Sequence, residues 1–233
     1  AVVETLLECG VPVNTKDTSG RSPVYLAVKT ERLDVLEVLL QRKDVDINTQ
    51  AHRRGKSPFY VAVNRRHIHA VKILLSDGRV DVNLATNYGE TPLHFAARWV
   101  SWAEIGRMLL EDERLDVNCL DVSGYTPLRV AVSCGNAYMV QLLLQHPRFD
   151  AMRGERGDWT PLHRAVHIKN EAIVKLLLAD KRININCRSN IGKTPLHLAV
   201  VGRDRGILKL LLADKDIDVH AMDDDGKSPL ELA

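Results

Sequence analysis

The sequence predicts an all-α repeat solenoid, built of helix-turn-helix units joined by β-hairpin-like fingers, on three observations. A Pro preceded by Thr or Ser recurs at Pro23, Pro58, Pro92, Pro127, Pro161, Pro195 and Pro229, with spacings of 35, 34, 35, 34, 34 and 34 residues. Leu-Leu pairs keep the same time, from Leu6-Leu7 to Leu211-Leu212. After each pair comes an Asn-like position: Asn14, Asn48, Asn83, Asn118, Met152, Asn186 and His220. A fixed period of this length sets the architecture before any local reading.

Each element follows from the same register. Thr or Ser before Pro suits an N-cap followed by Pro at the first helical position. A helix of about two turns follows, for example Pro195 to Val201, and a short turn leads to a second, for example Asp204 to Ala213. Such helices are marginal alone in water. They need the neighbouring unit, and Ala27, Ala62, Ala96, Ala131, Ala165 and Ala199 allow close approach. The Leu-Leu pairs and Val/Ile stripes are expected to form the core. The Asn positions are expected to satisfy turn backbone groups. A loop through each Asn then gives an extended finger ending at Gly. The predicted units are a partial repeat at 1–14, full repeats at 15–48, 49–83, 84–118, 119–152, 153–186 and 187–220, and a partial repeat at 221–233. Residues 2–9 read as a lone second helix with Gly10 placed as its left-handed cap. Apolar faces at both ends predict a segment of a longer array, or ends covered by neighbouring domains.

Composition narrows the function classes. Apolar residues make up 45% but aromatics only 5%, which suits cores of small aliphatic side chains rather than large pockets. A net charge of +2 selects neither nucleic acid nor membrane through a global field. No apolar run approaches the ~20 residues needed to span a bilayer, and the opening residues do not read as a secretory leader. Cys9, Cys119, Cys134 and Cys187 form no Cys-x-x-Cys pair. Cys119 and Cys187 share a slot two repeats apart. Helices pack ~8–10 Å apart, so that separation exceeds the ~7 Å a disulfide tolerates. All four are expected to be reduced, in an intracellular protein of the cytoplasm or nucleus.

The Thr-Pro-Leu-His starts at Thr91, Thr160 and Thr194, the Leu-Leu pairs and the Asp-Val-Asn ends at Asp81-Val82-Asn83 and Asp116-Val117-Asn118 carry a resemblance to the ankyrin repeat family across essentially all 233 residues. The resemblance implies a protein-binding module on a concave face of fingers and first helices, often within a larger regulatory or scaffolding protein. Departures from the family pattern are specific. The turn between helices usually holds Gly, yet only Gly135 does so here, against Glu31, Arg66, Ser101, Lys169 and Arg203. A left-handed backbone at those residues costs roughly 1 kcal/mol each. The third repeat has one extra residue near Arg98-Trp99-Val100, and the second finger is longer by one. The fifth finger, Arg153 to Asp158, puts Asp in the usual Gly slot and is expected to deviate most.

Catalytic and metal signatures are weak. His163 and His167 have zinc-ligand spacing but lack a third ligand and an intervening Glu. His163 shares a repeat slot with His94 and His197, so a structural imidazole bonding the finger backbone is expected. Gly192-Lys193-Thr194 ends like a phosphate loop, but Cys187 stands where the first Gly belongs. Neither catalysis nor a cofactor is expected.

Repeat phase marks the candidate partner-binding residues. Tyr88 and Tyr125 flank finger glycines, Trp159 repeats the Tyr125 slot, and Trp99 adjoins the extra residue. Interface hot spots favour such rings. Ile168 falls on the same face, and Arg54, Lys56 and Arg65 would steer an acidic portion of a protein partner. Residues 48–76 hold six Arg or Lys and no Asp or Glu, so a basic anion or nucleic-acid surface at residues 52–72 is the competing reading. A spacer with no partner of its own is the third.

Overall fold

The computed structural model describes residues 2–151 and 159–233. The fifth finger therefore lies outside the described residues, together with the expectation attached to it. Among the described residues there are thirteen α-helices and no strand. Two compact units emerge, Ala1–Ala96 with Ser101–Val122, and Ala97–Val100 with Ser123–Ala233.

Unit 1 carries α1 (Val2–Glu8), α2 (Pro23–Lys29), α3 (Leu33–Leu40), α4 (Pro58–Arg65), α5 (Ile68–Ser76), α6 (Pro92–Ala97) and α7 (Ala103–Leu110). First helices pack on first helices, α2 on α4, and second helices on second, α3 on α5. Unit 2 repeats this with α8 (Pro127–Ser133), α9 (Ala137–Gln145), α10 (Pro161–His167), α11 (Glu171–Ala179), α12 (Pro195–Val201) and α13 (Arg205–Leu212). There α8, α10 and α12 form one layer and α9, α11 and α13 the other.

The caps are those the sequence predicts. Ser22, Ser57, Thr126, Thr160 and Thr194 are extended, accept from the backbone N–H three residues on, and precede Pro. Gly10 caps α1 at φ +82°. In the inter-helix turn, Glu31, Arg66, Lys169 and Arg203 do take the left-handed conformation, at φ 57°, 59°, 57° and 52°. Ser101 does not. The extra residue before it lets the chain make a 3-10 turn at Val100–Trp102 instead.

The alanines at the interfaces are buried, as are Leu39, Leu74, Leu109, Leu143, Leu177 and Leu211. The Leu-Leu pairs are not uniformly core, however. Their second member is only half-buried in most repeats, because the neighbouring helical position turns toward the outer edge of the layer. Leu6 on α1 and Leu212 on α13 stay about half exposed, at 49% and 53%.

Fingers are closed by turn hydrogen bonds rather than by strand ladders. Each then bonds the next: His52 N–H donates to Ser19, Asn87 N–H to Arg54 and Val122 N–H to Tyr88 in unit 1, and Asp224 N–H to Ile191 in unit 2. Gly89 shows why the tip needs glycine. It sits at φ +71°, and a Cβ there would lie 2.6 Å from the Val122 nitrogen.

The Asn series does more than satisfy its own turn. Asn48 donates to the Arg79 carbonyl at 2.9 Å and accepts from the Asp81 N–H at 2.9 Å, so one side chain ties two edges of the following repeat. Asn14, Asn83 and Asn186 make the same pair. A second tie was not read from the sequence. Arg79 and Arg114 donate back to the open carbonyls at the end of the previous second helix, Leu40 and Leu75, as Arg182 does to Leu144. Asp77, Asp112 and Asp180 each hold that guanidinium from two residues upstream.

Candidate partner-binding surface

The third residue of each first helix positions the finger that follows. His163 accepts from the Thr160 N–H through Nδ1 at 3.3 Å, completing a capping box, and its Nε2–H donates to the Lys193 carbonyl at 2.8 Å. His197 does the same to Lys227 at 3.1 Å. Burial pushes the His163 imidazole down, against the opposing pull of its bond to Lys193. His163 is thus a neutral structural group with both nitrogens engaged. Among the described residues no cluster of three or more His, Cys, Asp or Glu is placed to hold a metal. The thiols of Cys187 and Cys119 lie against Thr160 and Thr91 at 3.1 and 3.3 Å, and burial drives Cys119 up to about 11, which leaves it inert.

Where the slot is not His, another donor does the same work. Arg129 donates to the Trp159 carbonyl, and the Tyr60 hydroxyl donates to the Glu90 carboxylate. Both reach 30 residues along the chain, as His163 and His197 do. The residue that ends each of these fingers is thereby tied to the first helix of the preceding repeat.

In unit 2 this brings predicted residues together. Tyr125 is 40% exposed, and the Arg129 guanidinium lies 5.0 Å from its ring centroid. The same guanidinium grips the Trp159 backbone. Trp159 is half-buried, edge-on to His167 with centroids 4.6 Å apart. Ile168, half-buried, caps α10 beside His167. Trp99 is more exposed, at 53%, on the segment after α6. Arg129 and His167 were not foreseen. The signal for Arg129 was its place in the His slot.

In unit 1, Tyr88 is a 62% exposed fingertip whose carbonyl is taken by Val122. Arg54 and Arg65 are exposed, while Lys56 is half-buried, 5.0 Å from the Tyr60 centroid and bonded to Asn64 Oδ1 at 3.2 Å. Partial burial and then the Arg54 charge push the Lys56 ammonium down, Arg65 adds to this, and Glu90 opposes. The three predicted cations therefore share one neighbourhood. Trp102, beside the extra residue, is structural: its indole donates to the Val63 carbonyl at 2.6 Å and meets Phe95 edge-on.

No helix among the described residues is long and apolar enough to cross a membrane. The family model for ankyrin repeats in three copies matches residues 43–121, 81–153 and 103–190. The model for many copies matches 170–212, and the single ankyrin repeat matches 19–51. No curated protein matches the chain. Among solved structures, the chain is similar to the ankyrin repeat domain of Bcl-3, described as a unique member of the IkappaB protein family. The two share 24% identity and a TM-score of 0.83 over 92% of this chain and 95% of that one. The repeat register, the capped helix pairs and the family match over most of the sequence agree, and the chain belongs to the ankyrin repeat family.

Proposed function

We propose that this chain is a non-catalytic protein-protein interaction module whose partner docks on the finger and first-helix face, anchored in unit 2 by Tyr125 and Trp159. Ankyrin repeats are protein-protein interaction modules, and the finer assignment to this face rests on one observation. Tyr125, Arg129, Trp159 and His167 form a single run of stacked and hydrogen-bonded groups that is held rigid yet partly exposed. Rigid aromatic surface costs little entropy to bury, and interface hot spots favour Trp, Tyr and Arg. Trp99 and Ile168 extend the apolar area within the same unit. Tyr88 offers a ring on unit 1, where Arg54, Lys56 and Arg65 steer an acidic part of the partner. Four cysteines outside any disulfide suit a place inside the cell, in cytoplasm or nucleus.

The test is capture of the partner from a lysate with the tagged chain, its identification, and reconstitution with purified proteins. Loss of binding in Trp159→Ala and Tyr125→Ala supports the anchor. Full binding by both, with a partner in hand, places the contact elsewhere.

A further inference from the structure

Arg79, Arg114 and Arg182 share one slot, and each guanidinium closes the end of the preceding second helix. Their Nη2 groups donate to the Leu40, Leu75 and Leu144 carbonyls at 2.7, 2.9 and 2.5 Å. Nη1 of Arg114 and of Arg182 reaches one carbonyl more, at Val80 and Phe149. The Asp two residues upstream accepts the backbone N–H of the Arg on Oδ1 and holds Nη2 on Oδ2.

The sixth full repeat breaks this series. Asp216 stands in the Arg182 slot, 34 residues on. The rest of the cradle is kept. Asp214 Oδ1 accepts from the Asp216 N–H at 3.0 Å, as Asp180 Oδ1 does from the Arg182 N–H. Asp214 Oδ2 accepts from no donor among the described residues. The carbonyls of Leu178 and Ile183, which match those of Leu144 and Phe149, accept from no side chain among them. Asp214, Leu178, Ile183 and Asp216 line one cavity of about 730 Å³, between the C-terminal ends of α11 and α13. The first repeat also has Asp in the slot, at Asp44, but Arg42 pairs with it at 3.0 Å.

We propose that this cavity receives an arginine side chain of a protein partner, whose guanidinium donates to the Leu178 and Ile183 carbonyls and to the Asp214 carboxylate. The proposal rests on the reading of the chain as a protein-binding module, but uses the ends of the second helices rather than the finger and first-helix face. A guanidinium carries five donors in a planar fork, and a helix C-terminus favours a cation. Lys181 and Lys215 line the cavity too, exposed and bonded to no group among the described residues. An ammonium is a point charge without that fork. Lys181 adjoins Arg182 without barring it from its cradle, so Lys215, in the matching position, leaves this cradle accessible as well. Among the described residues no three His, Cys, Asp or Glu come together to hold a metal ion instead.

The isotope-labelled chain is titrated with a short Gly-Ser peptide bearing one Arg, and with the same peptide bearing Lys in its place. Backbone signals of Leu178, Ile183, Asp214 and Asp216 move to saturation with the Arg peptide, which binds about tenfold tighter than the Lys peptide. Asp214→Asn keeps an Oδ1 acceptor for the turn and weakens Arg-peptide binding about tenfold. Asp216→Arg restores the internal tie, so it abolishes peptide binding and raises the urea midpoint. Glu171→Gln, at an exposed carboxylate on the other end of α11, binds like the parent. Should Asp214→Asn fail to fold, Asp216→Arg carries the test. Equal binding of the two peptides, unchanged binding in Asp216→Arg, or equal loss in Glu171→Gln overturns the proposal. So does calcium alone, if it moves the same signals at lower concentration than the Arg peptide. None of these outcomes bears on the Tyr125–Trp159 anchor, which is read on the captured partner.

Discussion

The Nε2–H of His163 donates to the carbonyl oxygen of Lys193 at 2.8 Å, so a buried side chain of one repeat holds the finger of the next. His163→Ala removes this bond and leaves the Thr160 cap half made. The expected loss is about 1–3 kcal/mol in urea unfolding, and added zinc leaves the midpoints of parent and variant alike. The folded pKa of His163 lies below its ordinary 6.5. Its contribution is therefore fully present above pH 6.5 and is lost as pH falls through the lowered folded value. A variant whose stability matches the parent at pH 7 and declines identically on acidification would sink this role.

Leu143 is wholly buried in α9, between the two layers of unit 2. Leu143→Ala should leave a cavity costing about 2–5 kcal/mol. Repeat energetics are carried by neighbours, so hydrogen exchange should accelerate most in α8 to α11. Uniform loosening from α2 to α13 would contradict a nearest-neighbour stack.

The repeat period made most of this fold legible. It located the capping Ser and Thr residues, the interface alanines and four of the left-handed turn residues. It also identified the structural imidazoles, because all of these recur at one phase. Ser101 escaped because the extra residue changed the turn from left-handed to 3-10. The Arg79, Arg114 and Arg182 ties escaped for another reason. They join a side chain to carbonyls 38 or 39 residues away, and such contacts leave no helical spacing to find. Their trace is an Asp two residues before each Arg at the repeat period. The candidate surface was half legible. Tyr125 and Trp159 were visible as large residues in a finger slot. Arg129, which joins them, stands in the slot that His163 and His197 fill, and nothing in that spacing marks its bond to Trp159.

That joint makes the binding prediction specific. Trp159→Ala should weaken partner binding by roughly 2 kcal/mol or more. Arg129→Ala should weaken it as well, without touching the partner, because it frees the Trp159 backbone and the Tyr125 ring together. Lys56→Ala should mainly slow association and flatten its salt dependence. Surface plasmon resonance at two salt concentrations separates these effects. Trp159 and Tyr125 variants that dissociate no faster than the parent would remove the anchor from unit 2.

Asp17 supplies the clearest test of finger electrostatics. Its carboxylate accepts from Arg21 Nε at 2.6 Å and from the backbone N–H groups of Ser19 and Arg21 at 2.9 Å each. The Arg21 side chain is the main reason its pKa falls from 3.8 to about 2. The folded value lies below the unfolded one, so the stabilisation is complete above pH 3.8 and disappears as pH falls through about 2. A carbon-detected titration of the Asp17 carboxyl should give a midpoint near that value. Arg21→Ala should return the midpoint toward the ordinary carboxylate range, since only the two backbone donors remain. The change should reach the first finger and leave α8 to α13 unmoved. An Asp17 midpoint near 4 in the parent would mean that Arg21 does not hold this turn in solution.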